Sequence, residues 1–110
     1  MRFIATEAGF KDGMGGASNS QDEDAYHYVL FGRQVDDQHP DNTGVYFEYD
    51  DQKFGSVNCV ERIVVGDKHV EFNLWNGEEI VVSSNTSELQ WDEVIQGIYS
   101  VFDTNMIQRP

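Results

Sequence analysis

Residues 45–83 read VYFEYDDQKFGSVNCVERIVVGDKHVEFNLWNGEEIVVS. Apolar residues recur there at every second position, the period of a half-buried strand. Over Val45–Asp50, Val45, Phe47 and Tyr49 fall on one side and Tyr46 and Glu48 on the other. Asp51–Gly55 reads as a turn. Ser56–Val65 reads as the next strand, and its alternation falters at Val60-Glu61, as a bulge would make it do. Gly66-Asp67 is a tight turn. Lys68–Trp75 then places Val70, Phe72 and Leu74 inward. Asn76-Gly77 is a strong hairpin signal, because both residue types tolerate positive φ. Glu78–Ser83 closes the series with Ile80 and Val82 inward.

Upstream, Arg2–Glu7 predicts a short first strand. Residues 8–24, AGFKDGMGGASNSQDED, are rich in Gly, Ser and acid and predict a long mobile loop. Ala25–Arg33 carries apolar residues on both faces, which predicts a central strand. Gln34–Thr43 is polar and broken by Pro40. Downstream the period changes: Trp91, Val94, Ile95, Ile98, Val101 and Phe102 recur at helical spacing. Thr86 or Ser87 supplies the cap, and Glu88, Asp92 and Glu93 suit the positive end of the helix dipole. Gly97, at mid-helix, costs about 1 kcal/mol against alanine, which predicts close packing on the sheet. The tail over 105–110 is expected to fray.

The expected fold is therefore α+β: a curved, mainly antiparallel sheet of about six strands on one C-terminal helix, in a single domain over residues 1–110. Six strands at ~4.8 Å spacing span over 20 Å, whereas a helix covers about 10 Å. Either the sheet curls strongly around the helix, or a second copy or a partner covers the remainder.

Twenty acidic residues face seven Lys and Arg, for a net charge of −13. Small designed domains carry about 2–8. Such an excess repels nucleic acid and anionic membranes and attracts basic surfaces. An aromatic content of 13% argues against disorder in so charged a chain. Cys59 is the only cysteine, so no internal disulfide forms; its place in a strand-like run makes it a small core residue. The N-terminal MRFIATEAGF lacks the apolar stretch of a signal peptide, and no run approaches the ~20 apolar residues of a membrane span. The expected compartment is the cytoplasm.

Catalytic and cofactor patterns are weak. Asp37, His39, Asp41 and Glu48 take the first, third, fifth and twelfth places of a calcium-loop count, but Asn42 replaces the turn glycine and Pro40 interrupts. Gly13–Ser18 approaches a dinucleotide fingerprint without the βαβ setting that gives it meaning. His27, His39 and His69 lack metal spacing. No enzyme, cofactor or metal site is expected. Tyr26, Tyr46 and Trp75 are candidate interface anchors, since aromatics are enriched at such surfaces.

The order of features nonetheless has a counterpart. The Val29-Leu30-Phe31-Gly32-Arg33 step leads to Asp36-Asp37-Gln38; a strand with Tyr46, Phe47 and Glu48 runs to Asp51-Gln52 and Gly55-Ser56; two more strands and a helix ending Tyr99-Ser100-Val101-Phe102 follow. Over roughly residues 25–103 this resembles the immunity protein 10 family of bacterial polymorphic-toxin systems. It departs from that pattern at Asp37, where a glutamate is usual, and at Gly55-Ser56, where a double glycine is. The resemblance implies a cytoplasmic inhibitor that neutralises a toxin encoded beside it. The charge implies a basic toxin, a nuclease among the candidates, met on Asp22, Glu23, Asp24, Asp36, Asp37, Asp41, Asp50 and Asp51 with Tyr46 as an anchor. The alternatives are a nucleic-acid mimic that blocks DNA-binding proteins and a small-ligand-binding domain.

Overall fold

A computed structural model describes residues 1–19 and 25–109. Among the described residues, ten strands and one α-helix make up the α+β fold, four strands more than the sequence predicts. The strands do not form one curled sheet. They divide into two open five-stranded sheets, and this resolves the coverage problem: the sheets cover each other.

One sheet is a plain antiparallel meander of β2 (Glu7–Lys11), β3 (Met14–Ser18), β4 (Tyr28–Gln34), β5 (Gly44–Tyr49) and β6 (Asp51–Val57) in spatial order. The other is built on the antiparallel meander of β7 (Val60–Val65), β8 (His69–Leu74) and β9 (Glu79–Ser84). At its edges β1 (Arg2–Ala5) runs parallel to β9, and β10 (Ile107–Gln108) parallel to β7. The chain changes sheet at Thr6 and again at Asn58-Cys59, where Asn58 has φ 58° and donates its backbone N–H to Val45 O.

Phenylalanines close the space between the sheets. Phe31 of β4 and Phe47 of β5 are fully buried, and Phe72 of β8 lies 4.7 Å from Phe47 and 6.4 Å from Phe31, ring centre to ring centre. Helix α1 (Glu88–Val101) packs on β2, β3 and β4 and buries Trp91, Val94, Gly97, Ile98 and Val101. Ser87 caps it by accepting the Gln90 N–H at 3.2 Å. Gly97 packs as closely as expected, since a Cβ there would fall on the Phe10 ring.

Four expectations need correction. Residues 8–24, expected as a loop, contain most of the β2–β3 hairpin. Asp12-Gly13 turns it with φ 54° and 82°, the positive pair that a two-residue hairpin turn requires. Glycines stand where side chains would have shown the strand period: a Cβ on Gly15 would collide with Phe31. Asp51–Gly55, expected as a turn, belongs to β6, because the reversal is made by Asp50 alone at φ 60°. Ser56–Val65, expected as one strand, breaks at Asn58-Cys59, although the register shift between Val60 and Arg62 is present. The tail, expected to fray from 105, makes a 3-10 turn at Thr104–Met106 and pairs Ile107 with Ile63. The exposed edge of β7 offers unpaired backbone groups, and the tail satisfies them.

Candidate functional site: an acidic end with an apolar cleft

The acidic residues do not form one patch. Strand β5 is six residues long, about 20 Å. The loop from Val35 to Thr43 joins β4 to β5 at one end of it, and the Asp50 turn lies at the other. Asp36, Asp37 and Asp41 therefore stand at the opposite end of the sheet from Asp50 and Asp51. Asp22, Glu23 and Asp24 lie outside the described residues.

Some of these acids serve the fold. Asp36 accepts the Gln38 and His39 N–H groups, both at 3.1 Å, and its own N–H donates to Thr43 Oγ1 at 2.9 Å. Asp50 accepts the Tyr28 N–H at 3.2 Å and lies 2.9 Å from His27 Nδ1, which ties the start of β4 to the turn. Asp51 accepts the Lys53 N–H. Asp37 and Asp41 are exposed, and their carboxylates have no such partner. Cations do not neutralise the excess. Among the described residues the ion pairs are His27–Asp50 and His39–Asp36, and no Lys or Arg pairs with a carboxylate. Lys53 instead lies over Phe54, and Arg109 over Tyr99.

On the outer face of the β2–β6 sheet, Glu48 is the unexpected residue. It points away from the core as its strand position predicts, yet it is only 6% exposed. Tyr46, two residues back on the same face, donates its hydroxyl to Glu48 Oε1 at 2.6 Å, and Tyr28 of β4 donates to Oε2. Tyr46 is thus tied to Glu48 by its hydroxyl. The bond to Glu48, burial and the carboxylate's charge together push the Tyr46 phenol up to about 12; burial and the same carboxylate raise Tyr28 as well. A phenol raised in the folded state stabilises the fold at pH values below the unfolded pKa of about 10. That contribution is lost as pH rises through the folded value. The unfolding free energy is therefore expected to fall between about pH 10 and the Tyr46 value of about 12. Tyr46→Phe should flatten this limb in urea titrations run at successive pH values. Equal alkaline slopes in the two proteins would show that the clasp does not form.

A cleft opens at the end that carries the Val35–Thr43 loop. Its volume is about 220 Å³, and Val45, Val60, Phe102 and Met106 form apolar walls. Trp75, which follows β8, stands at its side with 69% of its surface exposed, held by donation of its backbone N–H to Cys59 O at 3.0 Å. Glu61 and Asn58 complete the lining. Asn58 also links the cleft to the acidic loop: its Nδ2 donates to Thr43 O, and its Oδ1 accepts the Val45 N–H. Trp75 was legible as a candidate anchor. Glu61, Phe102 and Met106 were not, because they reach the cleft from distant parts of the chain.

Burial raises the Cys59 thiol above its ordinary value, consistent with its reading as a packed residue. Among the described residues no group of three or more His, Cys, Asp or Glu is placed to hold a metal ion, and no helix is long and apolar enough to cross a membrane. No family model, curated protein or solved structure matches the chain.

Proposed function

We propose that this chain is an immunity-type inhibitor: a binder, not a catalyst, that neutralises a basic toxin in the cytoplasm of its producer. The observation that supports this most directly is the unspent charge. The chain carries −13, and among the described residues no Lys or Arg pairs with a carboxylate. An excess of this size destabilises the folded state by self-repulsion and attracts a basic surface over a distance. Charge complementarity of this kind speeds encounter and orients the partner. The end carrying Asp37, Asp41 and the Trp75 cleft offers both parts of an interface: unpaired charge for steering and exposed aromatic surface for anchoring. The order of sequence features over residues 25–103 resembles the immunity protein 10 pattern, with departures at Asp37 and Gly55-Ser56.

Co-expression tests the proposal. The product of the neighbouring gene, induced alone in a laboratory bacterium, is expected to arrest growth. This chain, induced with it, is expected to restore growth, and the two proteins should co-purify at low salt and separate more readily at high salt. A harmless neighbour, or arrest that persists with both present, rules the inhibitor reading out.

A further inference from the structure

We infer that the cleft beside Trp75 seats one arginine side chain of the basic partner, an inference that rests on the inhibitor reading for its biological meaning but not for its test. Size argues for a single side chain. Small-molecule sites usually measure about 300–1,000 Å³, and this cleft is smaller, at about 220 Å³.

Chemistry argues for arginine. The walls are Val45, Val60, Phe102 and Met106, which suit an aliphatic stem. The side is an exposed indole, the best face for a cation. Glu61 in the lining supplies a carboxylate, and no Lys or Arg lines the space to compete for it. A planar guanidinium is suited both to stacking on an indole such as Trp75 and to donating to a carboxylate such as Glu61, whereas an ammonium is a compact and strongly hydrated charge. A neutral apolar side chain would leave Glu61 unused, and an acidic one would meet it with like charge. Beyond the cleft, the Asn58–Thr43 link ties the end of the acidic loop to its lining, so carboxylates on that loop favour the approach of a basic surface from that side.

The test uses the whole chain labelled with ¹⁵N and the peptide Gly-Gly-Arg-Gly-Gly at low salt. Expected are shifts at the Trp75 indole N–H and at the amides of Val60 and Glu61. The same peptide with citrulline, the neutral isostere of arginine, should bind at least tenfold more weakly, as should the arginine peptide to Trp75→Ala or Glu61→Gln. Both residues are exposed, so the fold should survive either change. Shifts confined to the loop over 35–43, equal binding of citrulline, or no shift at all would overturn the assignment. Co-expression separates the two proposals. Growth rescue that is undiminished in the Trp75→Ala, Glu61→Gln double variant removes the cleft from the inhibitory interface and leaves the inhibitor. Arginine seating without any rescue keeps the cleft and removes the inhibitor.

Discussion

Replacing Phe31 by alanine is expected to lower the unfolding free energy by about 3–5 kcal/mol, the usual cost of emptying a fully buried aromatic site. Phe31 is 0% exposed, and its ring lies 5.5 Å from Phe102 and 6.4 Å from both Phe10 and Phe72. Those neighbours belong to β2, to β8 and to the chain just after α1, so one ring joins both sheets and the segment that leaves the helix. Small domains have only about 5–15 kcal/mol in all. The urea midpoint should therefore move by more than about 1 M at an ordinary slope of 1–3 kcal/mol per molar. Phe54→Ala is the comparison: that ring also stacks on another, Tyr49 at 5.1 Å, but is 44% exposed. It should shift the midpoint far less. Equal shifts would mean that the sheets do not meet on Phe31.

Reversing Asp37 and Asp41 together to lysine is expected to slow association with the proposed basic partner by about 10- to 100-fold at low salt, within the range that steering supplies. Both carboxylates are exposed, free of structural bonds and on the loop that borders the cleft. Their reversal should leave the fold intact, unlike that of Asp36, whose carboxylate accepts two backbone N–H groups within its own loop. Asp51→Lys, at the other end of β5, should change the rate little. Stopped-flow measurements at two salt concentrations distinguish the ends, because steering weakens once the Debye length shrinks from about 10 Å at 0.1 M to 3 Å at 1 M. A larger effect from Asp51 than from the pair would move the interface to the opposite end of the sheet.

Much of the site was visible as composition and little of it as geometry. The acid clusters, the polar loop around Pro40 and the exposed aromatic Trp75 can be read off the chain. Their grouping cannot. Asp36, Asp37, Asp41, Asp50 and Asp51 lie within sixteen positions of one another in sequence, yet a strand separates them into two ends. Glu48 looks like an ordinary solvated carboxylate in its alternation. Tyr46 two positions back and the lateral neighbour Tyr28, twenty positions away, together bury and clasp it.

Local order was written in the sequence wherever one element is dictated by its own side chains. The alternation of Val70, Phe72 and Leu74, the helical recurrence from Trp91 to Val101 and the Ser87 cap each depend on residues a few positions apart. The turn at Asn76-Gly77 formed too, although only Gly77 takes positive φ, at 92°. The β2–β3 hairpin is not legible because Gly9, Gly15 and Gly16 have no side chain to mark a face; it is paired through backbone hydrogen bonds, and Phe31 occupies the space a side chain on Gly15 would need. The division into two sheets belongs to the tertiary structure alone. Every local segment reads the same whether the strands curl as one sheet or fold as two. Contact between phenylalanines far apart in the chain, Phe47 with Phe72 and Phe31 with Phe72, holds the two sheets face to face. The same closure brings Val45, Glu61, Trp75 and Met106 around one cleft, because burial acts on surfaces in space and is indifferent to their order along the chain.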